Sequence, residues 1–468
     1  MNKFYYQIGA GVVAGIGVGL LNGLLLTQRS LLGQAMLGGL LGAFFVLLLG
    51  QHMRSSGAAL IWGQAYGLLW WLLGIVTMVP LLMGNGLLWT EAGLLAAAPD
   101  LLAALVGHGL ILGGGYFGLL WLIEQIPSVD VALLQPKSLA PFSIASSQTQ
   151  AMIVGALGGL LSAWLLLRWL NDPAIYVEIG SMVGSQSPFV GGIIAYTTAV
   201  LAGILFGRLF YSDIVSPGTA LILGVAASFA GWLLLAFFFG VEVVSLTAVL
   251  TFAILLASFY VVVNRLWQLL FIDSDPLNRA REGVGVRSVR QILLGMGAGL
   301  LGGVFITMMM LSWGSFSYLG RLLQAESNLS GLVTYFGVNG LLGLLFGLFF
   351  ASMTTSYGQA SVWGLAYGAF CWLFGTNLLF SLWLNQPVAW WLPEMQQRYD
   401  SLIIFLFFGL ALGLLLTWLT RRFGVRLGGI RANNEVETAV FAQQNTAVLP
   451  LPPLVVTLTI LLPLLVSQ

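Results

Sequence analysis

Charge is what this chain has least of. Only 7% of its 468 residues are Asp, Glu, Lys or Arg, whereas 59% are hydrophobic. Soluble domains carry about 25% charged residues, so the composition excludes an ordinary soluble protein. The formal net charge is +1, which gives no electrostatic reason to expect a nucleic-acid partner.

Cysteine and histidine are nearly missing as well. The single cysteine, Cys371, lies inside a predicted span, which excludes a disulfide framework and a thiolate metal site. The two histidines, His52 and His108, fall at different predicted depths in the membrane, which argues against a bis-histidine haem. Two imidazoles are also too few for a ring of chlorophyll ligands. We find no zinc motif and no nucleophile–base pair.

Acidic residues are missing from the predicted spans. They lie in predicted loops or at helix ends, and examples are Glu124, Asp213 and Glu242. Proton-coupled and sodium-coupled pumps commonly rely on carboxylates within the membrane, so coupled transport is disfavoured. A stretch from Gly9 to Ala14 imitates a dinucleotide fingerprint, but the first acidic residue of the chain is Glu91, and the match is accidental. We therefore expect no enzyme and no resident cofactor, with a bound lipid or quinone as an open alternative.

Long apolar runs are abundant. About 20 apolar residues cross a hydrocarbon core of about 30 Å as a helix, and the runs lack the alternation of a membrane β-barrel. We predict an all-α membrane protein with 12 or 13 transmembrane helices. The last apolar stretch, Leu449 to Val466, either spans once or lies at the interface. The other predicted spans cover 6–26, 34–50, 57–83, 101–123, 151–169, 189–210, 217–240, 246–271, 289–311, 331–350, 358–384 and 401–420.

One pattern occurs three times with identical offsets. Ser-x-Gly-x-Ala begins at Ser55, Ser216 and Ser356, and each copy is followed by Gly, Ala and Trp at fixed distances. Self-similarity over about 140–160 residues predicts one structural unit present in three copies. Four spans per copy place every copy in the same orientation, which predicts a pseudo-threefold axis along the membrane normal. The predicted segments are repeats at 1–125, 149–272 and 289–422, cytoplasmic linkers at 126–148 and 273–288, a polar cytoplasmic segment at 423–448, and a C-terminal helix at 449–468.

The basic residues predict the orientation. With the N-terminus in the cytoplasm, 13 of the 17 lysines and arginines lie on the cytoplasmic side, as the positive-inside rule requires. Helical spans and the scarcity of cysteine favour a bacterial inner membrane. Basic stretches at Arg279–Arg290 and Arg421–Arg431 either set this topology or attract anionic headgroups or an acidic partner.

Small residues recur every fourth position in the first helix of each repeat. Residues four apart share one helix face, and such faces allow close helix packing in lipid. Packing within the bundle is the favoured interpretation, and contact with a lipid, pigment or quinone is the alternative. The candidate packing residues are Gly11, Gly15, Gly19, Gly155, Gly159, Gly295, Gly299 and Gly303.

The repeated motif itself has two interpretations. Its serine is a good N-cap for the third helix of each repeat. Alternatively, the helix N-termini face a pore and meet a polar or anionic solute. His108 is either a ligand-binding residue or a neutral histidine bonded to a backbone carbonyl. The candidate ligand-binding or pore-lining residues are Ser55, Gly57, Ser216, Gly218, Ser356, Gly358 and His108.

Two functions remain. The first is a non-catalytic scaffold or accessory subunit of a larger membrane complex, with lipids and other membrane subunits as partners. The second is a passive channel or facilitator for a small neutral or apolar solute. Convergence of the three serines on a shared vestibule would favour the channel, and simple helix capping would favour the scaffold.

Overall fold

The computed structural model describes an all-helical chain. It covers residues 3–25, 30–53, 55–84, 86–126, 145, 147–170, 173–181, 183–239, 245–271, 284–313, 328–351, 353–354, 356–383, 392–423 and 447–466. These residues form helices, turns and irregular segments, with no β-strand among them. The predicted all-α class is confirmed.

Twelve helices in the described part of the chain are long and apolar enough to cross a membrane, which confirms a multi-pass membrane protein. Unbroken apolar runs account for them, because few charged side chains would have to be buried in lipid. In chain order they are α1 (Lys3–Leu25), α2 (Leu31–Leu49), α3 (Ser56–Leu82), α4 (Ala98–Glu124), α5 (Gln148–Leu170), α6 (Pro188–Phe210), α7 (Pro217–Phe239), α8 (Leu246–Phe271), α9 (Val284–Trp313), α10 (Asn328–Phe350), α11 (Tyr357–Leu379) and α12 (Tyr399–Phe423).

The last helix, α13 (Leu451–Val466), has 16 residues and is shorter than a membrane span. Pro463 lies inside this helix instead of ending it. Short helices in the connections run over Glu91–Ala96, Pro173–Ser181 and Leu392–Gln396. The predicted linkers at 126–148, 273–288 and 423–448 lie largely outside the described residues.

The chain divides into two compact units. One comprises residues 1–270 with 441–451 and 468, and the other comprises residues 271–440 with 452–467. The first unit therefore contains α1 to α7 and α8 up to Leu270, and the second contains α9 to α12 with α13 from Pro452 onwards.

The glycine-rich helices pack in pairs through their backbones. A Cβ atom added to Gly11 of α1 would collide with the carbonyl oxygen of Gly42 in α2, and one added to Gly15 with that of Gly38. The same test brings together α5 with α6 and α9 with α10. Between α5 and α6, the colliding positions are Gly155 with Gly203 and Gly159 with Ala199. Between α9 and α10, they are Gly295 with Gly343, Gly299 with Asn339, and Gly303 with the side chain of Asn339. In the first pair, Gly19 of α1 meets Gln34 of α2 in the same way. These glycine faces are covered by neighbouring helices of the chain itself.

The third and fourth helices of each predicted repeat also pair through small residues. Gly63 of α3 contacts Gly109 of α4, and Gly224 of α7 contacts Ala257 of α8. In the second unit, Gly364 of α11 contacts Gly409 of α12. Close backbone approach is a main source of helix association in lipid, where apolar burial adds little.

Aromatic side chains fill the space inside the helix groups. Phe45 of α2 packs against Tyr66 with ring centroids 5.2 Å apart, and against Tyr116 at 5.9 Å. Phe206 packs against Tyr260 at 5.4 Å, and Phe346 against Tyr367 at 5.0 Å. The Tyr66 hydroxyl donates a 2.8 Å hydrogen bond to the carbonyl oxygen of Leu41 in α2. The Tyr367 hydroxyl donates one of the same length to the carbonyl oxygen of Leu342 in α10.

The repeated tryptophans lie deep in the protein. Trp71, Trp232 and Trp372 are at most 2% exposed. The Trp71 indole N–H donates to the carbonyl oxygen of Ala97 at 2.8 Å. The Trp372 indole N–H donates to the carbonyl oxygen of Arg398 at 3.2 Å. In both cases the acceptor lies 26 residues further along the chain.

Within the described residues, three segments have π-helical geometry: Trp70–Met78 in α3, Ala104–Ile111 in α4 and Trp372–Leu379 in α11. The segment in α4 accommodates one extra residue. Gly63 and Gly67 of α3 meet Gly109 and Ala104, which are five residues apart, whereas Gly364 and Gly368 of α11 meet Gly409 and Phe405, which are four apart. His108 lies in the stretch that carries the insertion.

Candidate functional site

Each repeated serine caps its own helix. Ser55 Oγ accepts the backbone N–H of Ala58 at 2.9 Å. Ser216 Oγ accepts that of Thr219 at 3.2 Å, and Ser356 Oγ that of Gln359 at 3.2 Å. These bonds satisfy helix N-terminal donors that would otherwise lack partners. The pore-lining role of the three serines stays a hypothesis.

Ser55 makes a second contact that the other two copies do not share. Its hydroxyl donates a 2.7 Å hydrogen bond to the Oδ2 atom of Asp213, which lies in the turn between α6 and α7. Next to it, the Ser56 hydroxyl donates to the carbonyl oxygen of Leu209 at 2.7 Å. The start of α3 is therefore bonded to the end of α6 within the first unit.

Asp213 is the buried carboxyl of this junction. It is 1% exposed, and the Ser212 hydroxyl lies 3.4 Å from the same oxygen. Burial raises the pKa of Asp213 to about 7, against the smaller opposing effect of the two serine hydroxyls on that pKa. A buried carboxyl of this kind changes its charge near neutral pH.

The sequence placed Asp213 in a turn but did not indicate that the turn is covered. One feature of the sequence distinguishes Asp213, namely its position three residues before the motif serine Ser216. The corresponding residues of the other two motifs are His52 and Met353. Only one copy has a carboxyl at this position, although the flanking motif is shared.

The motif glycines differ in what surrounds them. A Cβ atom on Gly57 would collide with the Phe210 ring and lie 2.9 Å from Asp213 Oδ2. Gly358 has no neighbour within 4 Å of the same position. Gly218 is buried in the first turn of α7. In the first copy, the glycine therefore allows the carboxyl to approach the N-terminus of α3.

His108 lies in the π-helical part of α4. Its Nδ1 atom is buried without a hydrogen-bond partner, and its ring centroid is 6.2 Å from that of Trp70. The Cβ position of the adjacent Gly107 lies 3.4 Å from the side-chain oxygen of Asn22 in α1. The predicted hydrogen bond from this histidine to a backbone carbonyl is not seen at Nδ1.

Gln64 is a polar residue that no sequence pattern singles out. It is 1% exposed, and neither its side-chain nitrogen nor its oxygen has a hydrogen-bond partner. The corresponding residue of the third copy is Leu365. A buried amide without partners costs free energy, so this position departs from the apolar pattern of the fold.

The second unit has its own polar contacts. Arg398 donates from Nη1 to the side-chain oxygen of Asn377 at 2.9 Å, and the Thr417 hydroxyl donates to the carbonyl oxygen of Thr354 at 3.3 Å. The guanidinium of Arg421 lies 4.6 Å from the centre of the Tyr357 ring, next to the Ser356 cap. Arg398 thus joins the start of α12 to α11, while Thr417 and Arg421 join the end of α12 to the connection before α11 and to the first residue of α11.

The described residues contain no group of three or more His, Cys, Asp or Glu that could hold a metal ion. The chain matches no family model, no curated protein and no solved structure. Functional inference therefore depends on the geometry of the chain itself.

Proposed function

We propose that the chain is a non-catalytic membrane scaffold or accessory subunit of a larger membrane assembly. The observation that carries this proposal is the use of the repeated serines. All three hydroxyls accept a backbone N–H of their own helix, which is the arrangement expected of structural caps. A pore would require polar groups aimed at solute.

The glycine faces support the same proposal. A Cβ atom on Gly15, Gly155 or Gly295 would meet the backbone of the partner helix, so these faces serve helix association. The large apolar side chains exposed on the same helices, such as Leu20, Leu157 and Phe305, remain for contact with lipid or other subunits.

We also propose the three-copy organisation, with the N-terminus in the cytoplasm of a bacterial inner membrane. Support comes from corresponding contacts: Gly11 with Gly42, Gly155 with Gly203, and Gly295 with Gly343. Phe45, Phe206 and Phe346 each pack against a tyrosine, and the tryptophan bonds of the first and third copies correspond to each other. The pseudo-threefold axis stays part of this proposal.

Extraction in mild detergent from the native membrane tests the scaffold function. For this experiment the chain is produced with an affinity tag, and an unrelated tagged multi-pass protein from the same membrane is the control. We expect one or more membrane subunits to elute with the chain at a fixed stoichiometry and not with the control. Cross-linking in the membrane before extraction retains partners that detergent would release.

Elution as a single chain or homo-oligomer, even after cross-linking, would contradict the scaffold proposal. The channel alternative is then measured as solute flux in liposomes. A flux that is reduced in Ser216→Ala would support the channel, since Ser216 is the most buried of the three capping serines.

A further inference from the structure

The junction between α3 and the α6–α7 turn contains a carboxyl that neither capping nor helix packing explains. Asp213 is almost completely buried, although an ionised carboxylate strongly favours water. Its Oδ2 atom accepts the Ser55 hydroxyl at 2.7 Å and lies 3.4 Å from the Ser212 hydroxyl. A structural role alone would be filled at lower cost by an uncharged residue, as at Met353 in the third copy.

The surroundings of Asp213 accommodate either protonation state. When the carboxyl is ionised, the Ser55 hydroxyl and the N-terminus of α3 stabilise its charge. When the carboxyl is protonated, its O–H can donate to Ser55 Oγ, which keeps one lone pair for the N–H of Ala58. The hydrogen bond therefore persists, while the buried charge is removed.

Among the residues that the structure describes, few charged or titratable side chains lie on the elements next to Asp213. Arg208, in the last turn of α6, is exposed, and Tyr211 lies in the same turn as Asp213. His52, in the turn before α3, stacks on Trp62 with ring centroids 5.0 Å apart. Burial and the hydroxyls of Ser55 and Ser212 are what set the pKa of Asp213.

We propose that Asp213 is a proton-binding site that couples proton uptake to the contact between α3 and the α6–α7 turn. Proton binding favours the closed junction, because the carboxyl then enters the protein without charge. Proton loss favours an opened junction in which water reaches the carboxylate. This inference goes beyond the proposed function and does not depend on the presence of a partner.

The pH dependence follows from the two pKa values. The closed junction has an Asp213 pKa of about 7, and a carboxyl exposed to water has the ordinary value of 3.8. The free energy of opening is therefore highest below pH 4, falls as the pH rises towards 7, and is constant above about 7. Between those limits the opening equilibrium changes by up to about tenfold per pH unit.

Amide hydrogen exchange on the full-length protein in detergent or nanodiscs tests the proposal. Exchange of residues 55–60 and 209–216 is measured from pH 4.5 to 8.5 in the wild type and in Asp213→Asn, which resembles the protonated state. Comparison at equal pH cancels the chemical exchange rate. We expect the wild-type rate to exceed the variant rate by at least tenfold at pH 8, with the excess growing up to pH 7 and then levelling off.

The third copy supplies the control. Residues 356–361 carry the same cap without a carboxyl, so their exchange in the two proteins should agree at every pH. Ser55→Ala should move the levelling-off point to higher pH, because a hydroxyl that stabilises the carboxylate is lost. Ser356→Ala removes only a cap and should leave that point unchanged.

Equal pH profiles for the wild type and Asp213→Asn would overturn the proposal. If Asp213→Asn does not fold, the decision depends on the wild type against residues 356–361 and on the Ser55→Ala shift. Absence of either effect overturns the proposal as well. A missing partner in the extraction experiment has no bearing on these outcomes.

Discussion

At the scale of single residues, the same motif is used differently in different copies. Ser55 and Ser356 both cap a helix, but only Ser55 also donates to a carboxyl. Gly57 borders that carboxyl, while Gly358 has open space around its Cβ position. A residue type that recurs at a fixed position therefore has one shared role and, in one copy, an additional role.

The two glycines give a matched prediction. Gly57→Ala should destabilise the protein by about 1–3 kcal/mol, because the added methyl group collides with Phe210 and crowds Asp213. Gly358→Ala should be neutral or stabilising by up to about 1 kcal/mol, since alanine favours a helix and meets nothing there. The thermal unfolding midpoint in detergent measures both, and equal midpoints would contradict the assigned difference.

The sequence predicted the caps at this scale but not the junction. Ser-x-Gly-x-Ala before an apolar run is a local signal, and capping depends on local backbone geometry. The bond from Ser55 to Asp213 joins residues 158 positions apart. Gln64 was missed for the same reason, because only tertiary packing decides whether an amide on a helix is buried.

At the scale of helices, fourfold glycine spacing corresponds to backbone contact. Gly15 of α1 faces Gly38 and Gly42 of α2, whereas Gly17 has no neighbour within 4 Å of its Cβ position. The sequence distinguishes these two glycines by periodicity, since positions 11, 15 and 19 share one face and position 17 does not. The partner of each face was not given by the periodicity.

Gly15→Ala and Gly17→Ala test this distinction on one helix. Gly15→Ala should destabilise the α1–α2 pair by about 1–3 kcal/mol, because the backbones must separate to admit the methyl group. Gly17→Ala should change the stability by less than about 1 kcal/mol. Resistance to limited proteolysis and the thermal midpoint report the difference, and a Gly17→Ala variant as unstable as Gly15→Ala would refute it.

The π-helical segments could not be predicted from the sequence. The insertion in α4 becomes visible only when Gly109 and Ala104 are compared with Gly409 and Phe405 through their contacts. Hydrophobic periodicity is too loose to detect one extra residue in an apolar run. The same segment contains His108, whose Nδ1 atom is buried without a hydrogen-bond partner.

At the scale of the whole molecule, the described residues contain twelve candidate spans, which is an even number. The distribution of lysine and arginine favours an assignment of the N-terminus and the connection after α4 to the cytoplasm, which stays a prediction. The connection between α3 and α4 lies on the opposite side in this assignment. This orientation is defined relative to a membrane, so its test requires the protein in a membrane of known sidedness.

Single cysteines in a Cys371→Ala background map that orientation. Leu87, between α3 and α4, is 51% exposed, and Gln125 follows the end of α4. With a membrane-impermeant maleimide we expect Leu87→Cys to react in intact cells and Gln125→Cys to react only in inverted membrane vesicles. The Cys371→Ala protein should not react in either, and the reverse pattern would invert the predicted topology.

The sequence alone determined the membrane class, the number of apolar spans and the positions of the helix caps. Each of these depends on composition or on residues close together in the chain, where local propensity and the cost of burying polar groups in lipid decide the outcome. Tertiary structure decided the burial of Asp213, the isolation of Gln64 and the partner of each glycine face. Those features join residues far apart in the chain, and the free energy of burial depends on what covers a residue.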